Sequence, residues 1–379
     1  MTTAEKAKGG LEDVVATSSA ICYLDGERGV LAYCGYDVHD LAQSATFEDV
    51  CYLLWHRRLP TRAELGDLQS QLAAARQLPE PITRLMRSLP PVNAMDALRT
   101  VTSALAHYDA EADDVAPQAQ YRKAVRLTSQ VGTIVATWGR LKAGGGPVAP
   151  DPAMSHAANF LYMLTGERPN STAIRAFDVA LILHADHELN ASTFAGRVAA
   201  ATLTDIYSAV VAAIGTLKGP LHGGANAEVM KMLLDLGQTA TGERIDEFVR
   251  GKFARKEKIP GFGHRVYKTE DPRATHLRQM SRDLGKRAGN TGWFDMSQRI
   301  EALVKAEKKL NPNVDFYSAS TYYTLGIPID LYTPIFAVSR ISGWTAHILE
   351  QYANNRLIRP RADYTGPSYP QRFVPLEQR

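Results

Sequence analysis

The chain has 379 residues, 45% apolar and 22% charged, the composition of a folded globular protein with a core large enough for two domains. Its 43 Lys and Arg stand against 40 Asp and Glu, a net charge of +3 that argues against nucleic acid or a membrane surface as partner. Any anionic ligand must therefore be caught by local arginines and lysines. The three cysteines, Cys22, Cys34 and Cys51, lack CxxC spacing and point to buried free thiols in a reducing compartment. Cys22 and Cys34 lie close enough to face each other across a hairpin, but no disulfide is expected. The N-terminal residues lack the apolar segment of a secretory signal. The most apolar stretch, 198–217, is interrupted by Asp205 and by Ser and Thr, so it reads as buried helix rather than membrane span. A cytoplasmic location is expected.

In chain order, one hairpin comes first: residues 20–24 and 29–33 flank the turn dipeptide Asp25-Gly26. Helical patterns follow. Residues 46–58 place Phe47, Val50, Leu53 and Leu54 on one stripe, and Thr61-Arg-Ala-Glu64 is a capping box opening a helix with Leu65, Leu68 and Leu72. Further helices are predicted at 94–108, 118–141, 153–164, 172–183 and 197–217, with the glycine-rich stretch 143–150 as a loop. The run 194–217 is rich in Ala, Gly, Ser and Thr, which suits either a crowded core or a subunit contact. Beyond Gly219, amphipathic helices at 228–236, 243–255, 272–287 and 298–309 are rich in Lys and Arg. The chain then returns to an apolar helix capped by Thr333, with Pro334 at its first position, running to about Asn354 before a polar tail. The expected architecture is all-α apart from the short N-terminal β-hairpin. A large helical domain, 1–221 and 326–379, receives a small inserted helical domain, 222–325.

Chemistry concentrates in a few segments. His222, in Gly219-Pro-Leu-His-Gly-Gly, stands before a helix beginning near Gly224. The positive end of that helix disfavours imidazolium, so His222 is expected to stay neutral and donate one N–H to an oxygen such as that of an enolate. His264 ends Pro260-Gly-Phe-Gly-His, a turn expected to offer free backbone N–H groups to an anion, with Arg273 of Asp271-Pro-Arg273 nearby. Asp315 follows a Pro-Asn-Val turn and precedes Phe316, surroundings that raise a carboxylate toward a usable base; an ordinary helix N-cap is the plain alternative. Two histidines and a carboxylate make an acid–base set that removes a carbon-bound proton while polarising carbonyl oxygens. His184 and His187 lie three residues apart on a helix end, without HExxH spacing or a cysteine cluster. Zinc is not expected there, and His187 is assigned instead to a bound carboxylate. Arg340 lies on the apolar helix, where a charge needs a partner, and Arg359 precedes Pro360 beyond it. The helix between them spans roughly 20 Å, so the two grip one small molecule only if Arg359 folds back or enters a neighbouring subunit's site. The second case is an argument for a homodimer with shared sites.

These segments together resemble the citrate synthase family over nearly the whole chain, from Tyr23-Leu-Asp-Gly26 to the stretch 359–366. The motifs that carry the resemblance are His184-Ala-Asp-His187, Gly219-Pro-Leu-His222, Gly261-Phe-Gly-His264 leading to Arg273, and Asn313-Val-Asp315. The resemblance implies an acyltransferase that condenses acetyl-CoA with oxaloacetate and water to give citrate and CoA, a step of the tricarboxylic acid cycle. In that scheme Asp315 takes the methyl proton, His222 hydrogen-bonds the thioester oxygen, and His264 polarises the keto group and protonates the alkoxide. His187, Arg273, Arg340 and the partner-derived Arg359 hold the oxaloacetate carboxylates. Lys258, Ile259, Pro260, Gly261, Phe262 and Gly263 lie against the CoA adenine. The resemblance implies no permanently bound cofactor and no metal, and an all-α fold whose small domain closes over the substrate. 2-Methylcitrate synthase, which uses propionyl-CoA, shares every one of these motifs and is the near alternative. A metal-dependent hydrolase built on His184, His187, His222 and His264, or a silent helical scaffold, is the remote one.

Overall fold

The computed structural model describes residues 9–11 and 14–379. The N-terminal hairpin forms and gains a third strand. β1 (Cys22–Asp25) pairs antiparallel with β2 (Val30–Tyr33), Cys22 opposite Tyr33, and β2 pairs with the two-residue β3 (Tyr36–Asp37). So short a strand carries no alternation to read in the sequence. Cys34 lies beyond β2 with its N–H donated to Ile21 O at 2.8 Å, so it is not the cross-strand partner of Cys22, and the three thiols are free.

Sixteen α-helices follow among the described residues. The first eight are α1 (Val38–Ser44), α2 (Phe47–His56), α3 (Arg62–Ala74), α4 (Glu80–Ser88), α5 (Ala94–Leu105), α6 (Pro117–Lys142), α7 (His156–Thr165) and α8 (Ser171–His184). The next four are α9 (Ala191–Ala200), α10 (Ile206–Leu217), α11 (Ala225–Leu236) and α12 (Gly242–Ala254). The last are α13 (Pro272–Arg287), α14 (Gly292–Lys308), α15 (Val314–Thr324) and α16 (Tyr332–Ala353). The capping box read at Thr61 is made, and Thr46 makes a second, each Thr hydroxyl accepting from the third residue's amide and that residue's carboxylate accepting in return.

Three expectations are corrected. The single helix read over 197–217 is two, because the Asp205 carboxylate accepts from Ser208 N–H at 2.9 Å and starts α10 afresh. Leu203, at φ 63°, turns the chain between them. Thr333 does not cap α16; the helix starts before it, and its hydroxyl donates to Gly223 O at 2.7 Å, tying α16 to the loop of His222. The helix read from 298 begins at Gly292. Helices α1, α4 and α15 were not among those expected.

Helix α16 is the axis of the larger group, packed by α2, α5, α6, α8, α9 and α10. Gly343 makes its closest crossing possible: a Cβ there would stand 2.3 Å from Ala185 O and 2.5 Å from Asp186 Oδ1. The small-residue run lies where α9 meets α10, Gly196 facing Ala209 and Ala213. A second group comprises α11 to α15, with α13 on α15, α11 on α15 and α12 on α14. It touches the first through α1 and α8 against α13, and α11 against α16. No helix among the described residues is long and apolar enough to cross a membrane.

Candidate active site

His222 is set by the turn after α10. Gly223 passes so near the end of α10 that a Cβ would lie 2.1 Å from Leu217 O, which only glycine allows. The turn carries His222 to the N-terminus of α9, where Ser192 N–H lies 3.3 Å and Ser192 Oγ 2.8 Å from its Nε2. Trp344 of α16 holds that serine by donating Nε1–H to its Oγ at 3.1 Å. With Nε2 accepting from the amide, the ring proton stays on Nδ1. Burial, and then the Arg340 charge, push the imidazole down to about 4, so it is neutral at pH 7. The expected neutrality is met, though burial rather than the helix end is its main cause.

His264 is set by a clamp between its own loop and the start of α15. Gly263 N–H donates to Asn311 O at 2.9 Å, Asn313 N–H to Gly261 O at 2.9 Å, and Asn313 Nδ2 to Gly263 O at 2.8 Å. Phe262 forms a β-bridge with Pro312 and packs tilted against Phe316, ring centroids 4.5 Å apart. Gly261, at φ 81°, fits because a Cβ would meet Phe316 Cα at 3.0 Å. Of the amides in this turn expected to be free, that of Gly263 is spent on the clamp. The amides of Val266 and Tyr267 instead donate to His264 Nδ1 at 3.0 and 3.2 Å. That leaves Nε2–H as the donor facing outward. Burial and Arg273 push this ring down to about 4 as well.

Asp315 lies in the first turn of α15, and the N-cap is Asn313, whose Oδ1 accepts from Asp315 N–H at 3.0 Å. The plain alternative for Asp315 is thereby excluded. Its carboxylate has no hydrogen-bond partner among the described residues. Loss of hydration raises it to about 6, against the opposing pull of Arg273.

Cationic groups surround these residues. Arg273 is buried and fork-bonded to Asp271, Nε to Oδ1 at 2.9 Å and Nη2 to Oδ2 at 2.8 Å. Asp271 also accepts from Val314 N–H at 3.1 Å, so one carboxylate fastens Arg273 to the start of α15. Arg340 is 1% exposed, donates Nε–H to His184 O at 2.7 Å, and lies 4.7 Å over the Phe336 ring. Its terminal nitrogens have no partner among the described residues, and burial pushes it down to about 10. Such a guanidinium is built to receive an anion. His187, also buried, meets the Tyr267 hydroxyl at 3.1 Å through Nε2. Its neighbour in sequence, Asp186, is buried against His347 Nε2 at 3.2 Å.

Arg359 is not brought to this cluster. It lies exposed in the tail beyond α16 and contacts none of the other site residues of its own chain. His184 does not pair with His187; it lies 2.7 Å from Ala180 O through Nδ1 and packs on Phe336. Among the described residues no group of three or more His, Cys, Asp or Glu is arranged to hold a metal ion. In the stretch 258–263, Lys258 is exposed and Ile259 buried. A cavity of about 1140 Å³ lined by Trp55, Tyr121, Leu349 and Glu350 contains none of these residues. Sequence reasoning missed Ser192 and Tyr267, which act through hydroxyls on partners distant in the chain. It saw Asp271 only as a neighbour of Arg273.

The site thus offers two neutral imidazoles with opposite protons forward, a carboxyl ionising near neutrality, and buried guanidinium groups for an anion. Residues 10–361 match the family model described as citrate synthase, C-terminal domain. Citrate synthase 2 of Bacillus subtilis is 56% identical over 372 residues, 98% of each chain. A B. subtilis protein named citrate/2-methylcitrate synthase is 42% identical over 362 residues, 95% of this chain and 96% of its own. Among solved structures, the ternary complex of carboxymethyl coenzyme A and oxaloacetate with citrate synthase from Thermoplasma acidophilum superposes with a TM-score of 0.91 at 33% identity. The match covers 100% of both chains.

Proposed function

The chain belongs to the citrate synthase family, and from that membership we infer an acyltransferase that condenses acetyl-CoA with oxaloacetate and water to give citrate and CoA. Asp315 removes a proton from the acetyl methyl group while His222 Nδ1–H donates to the thioester oxygen, so that charge forming on that oxygen meets a fixed donor. The enol carbon attacks the keto carbon of oxaloacetate. His264 Nε2–H polarises the keto oxygen and gives up its proton as the new carbon–carbon bond turns that oxygen into an alkoxide. Water then cleaves the citryl thioester, releasing citrate and CoA. The observation that carries this reading is Asp315: an unpartnered carboxylate raised to about 6, on a helix clamped to the loop of His264.

His187, Arg273 and Arg340 hold the oxaloacetate carboxylates, and Arg359 joins them from the second subunit of a homodimer. Its exposed position in the single chain, and the empty terminal nitrogens of Arg340, support that sharing. The CoA adenine lies along 258–263. The enzyme acts without a permanent cofactor or metal, CoA entering as co-substrate, and serves the tricarboxylic acid cycle in the cytoplasm. The packing of α11 to α15 on one another supports a small domain at 222–325 that closes on the remainder, 1–221 and 326–379, and excludes water from the enolate.

Propionyl-CoA is the second acyl donor to consider, because one relative carries both names. An added methylene changes selectivity by only about 1–3 kcal/mol. The test is thiol release by purified protein given oxaloacetate with acetyl-CoA, and in parallel with propionyl-CoA. Preference for acetyl-CoA is expected. Preference for propionyl-CoA reassigns the substrate with the mechanism intact, and silence with both in folded protein overturns the reading.

A further inference from the structure

Tyr267 belongs to no part of the scheme above, yet it touches two of its histidines. The segment after His264 is pressed inward by the N-terminal hairpin. Lys268 N–H donates to Gly26 O at 2.9 Å, and a Cβ on Gly26 would lie 2.2 Å from Val266 O. Under this turn Tyr267 is 4% exposed. Its backbone N–H donates to His264 Nδ1 at 3.2 Å, and its hydroxyl stands 3.1 Å from His187 Nε2. The three rings form one cluster, with centroids 4.7 Å apart for His264–Tyr267, 5.2 Å for His187–His264 and 5.5 Å for His187–Tyr267. The hydroxyl has no other partner among the described residues.

The direction of the hydroxyl bond follows from the acceptors within reach: among the described residues the buried phenol proton has Nε2 alone to go to. His187 is held well below the usual imidazole range by burial first, then by Arg273 and His264, so it is neutral and carries one proton. Burial pushes the Tyr267 phenol up, so it keeps its own proton. A ring carbon of phenylalanine would leave Nε2 buried and unpaired. The consistent arrangement has Tyr267 O–H donating to Nε2, with the His187 proton on Nδ1. His187 follows α8 in the larger helical group, and Tyr267 lies between α12 and α13 of the other, so this bond joins the two groups.

We propose that Tyr267 is a positioning residue for oxaloacetate: its hydroxyl fixes the ring orientation and tautomer of His187 while its amide fixes those of His264. The inference rests on the oxaloacetate reading of the site. In Tyr267→Phe, KM for oxaloacetate should rise about tenfold, the equivalent of one hydrogen bond, with kcat within about threefold and KM for acetyl-CoA unchanged. A merely structural role would instead impair both substrates together. Independently of how the variant folds, ¹⁵N spectra of histidine-labelled, ligand-free wild-type protein should show His187 protonated on Nδ1 and bare on Nε2, with its signal assigned by loss in His187→Gln. An unchanged oxaloacetate KM in folded Tyr267→Phe, or a His187 protonated on Nε2, overturns the proposal. Absence of wild-type thiol release overturns the site reading itself, whereas normal wild-type turnover with an unchanged KM removes only the role of Tyr267.

Discussion

At Asp315 two effects compete. The first turn of a helix favours a carboxylate, and so does Arg273, but withdrawal from water wins and raises the group to about 6. Turnover through this base should fall as pH drops through about 6, visible as the acid limb of a kcat profile. Stability should run the other way. The folded-state value lies above the unfolded one near 4, so the ionised form weakens the native state fully above about pH 6, and that cost fades as pH falls from about 6 to about 4. Asp315→Asn should therefore lose at least about a thousandfold in thiol release while gaining on the order of 1–2 kcal/mol of stability at pH 7.5. The gain should vanish at pH 4, which thermal unfolding at both values would decide. Arg340 presents the same conflict with opposite charge. Arg340→Met should tolerate heat better than wild type yet lose the rise in Tm that oxaloacetate gives the wild-type protein, as checked by melting with and without the keto acid. His222, His264 and Asp315 were legible because glycines or a turn surround them. Tyr267 and Ser192 were not, since a hydroxyl serving a distant ring leaves no local spacing to read.

Among the elements, α3 and α13, each with one wet face, announced themselves by their stripe, and α3 also by its capping box. Helix α15 is buried over nearly its whole surface, from Val314 and Phe316 through Thr321 and Tyr322, so its sequence shows no stripe. The α9–α10 break was written in Asp205, which is a cap and not merely a polar interruption of one helix. A close element contact, α16 across the end of α8 at Gly343, has no sequence signature. Gly343→Ala forces a methyl group onto Ala185 O and Asp186, beside His187. A loss of about 1–3 kcal/mol in denaturant unfolding should follow, with weaker oxaloacetate binding by calorimetry. Unchanged binding at reduced stability would show that the distortion stops short of His187.

For the molecule as a whole, the carboxylate grip proposed above is one completed from outside the chain. If Arg359 acts across a dimer, Asp315→Ala and Arg359→Leu proteins, each inactive alone, should complement when co-expressed. Random pairing leaves one complete site in half of the dimers, so about a quarter of wild-type activity should return. No recovery would place Arg359 in its own subunit's site or outside any site. The all-α class was readable from helix patterning, while the hairpin's grip on the 264–270 segment was not, because it rests on backbone contacts at Gly26 and Gly29. Asp271 sets a limit on remodelling this enzyme. Because one carboxylate fastens both Arg273 and the head of α15, a designer who shifts that helix head to admit a bulkier acyl group also loosens the hold on the acceptor acid.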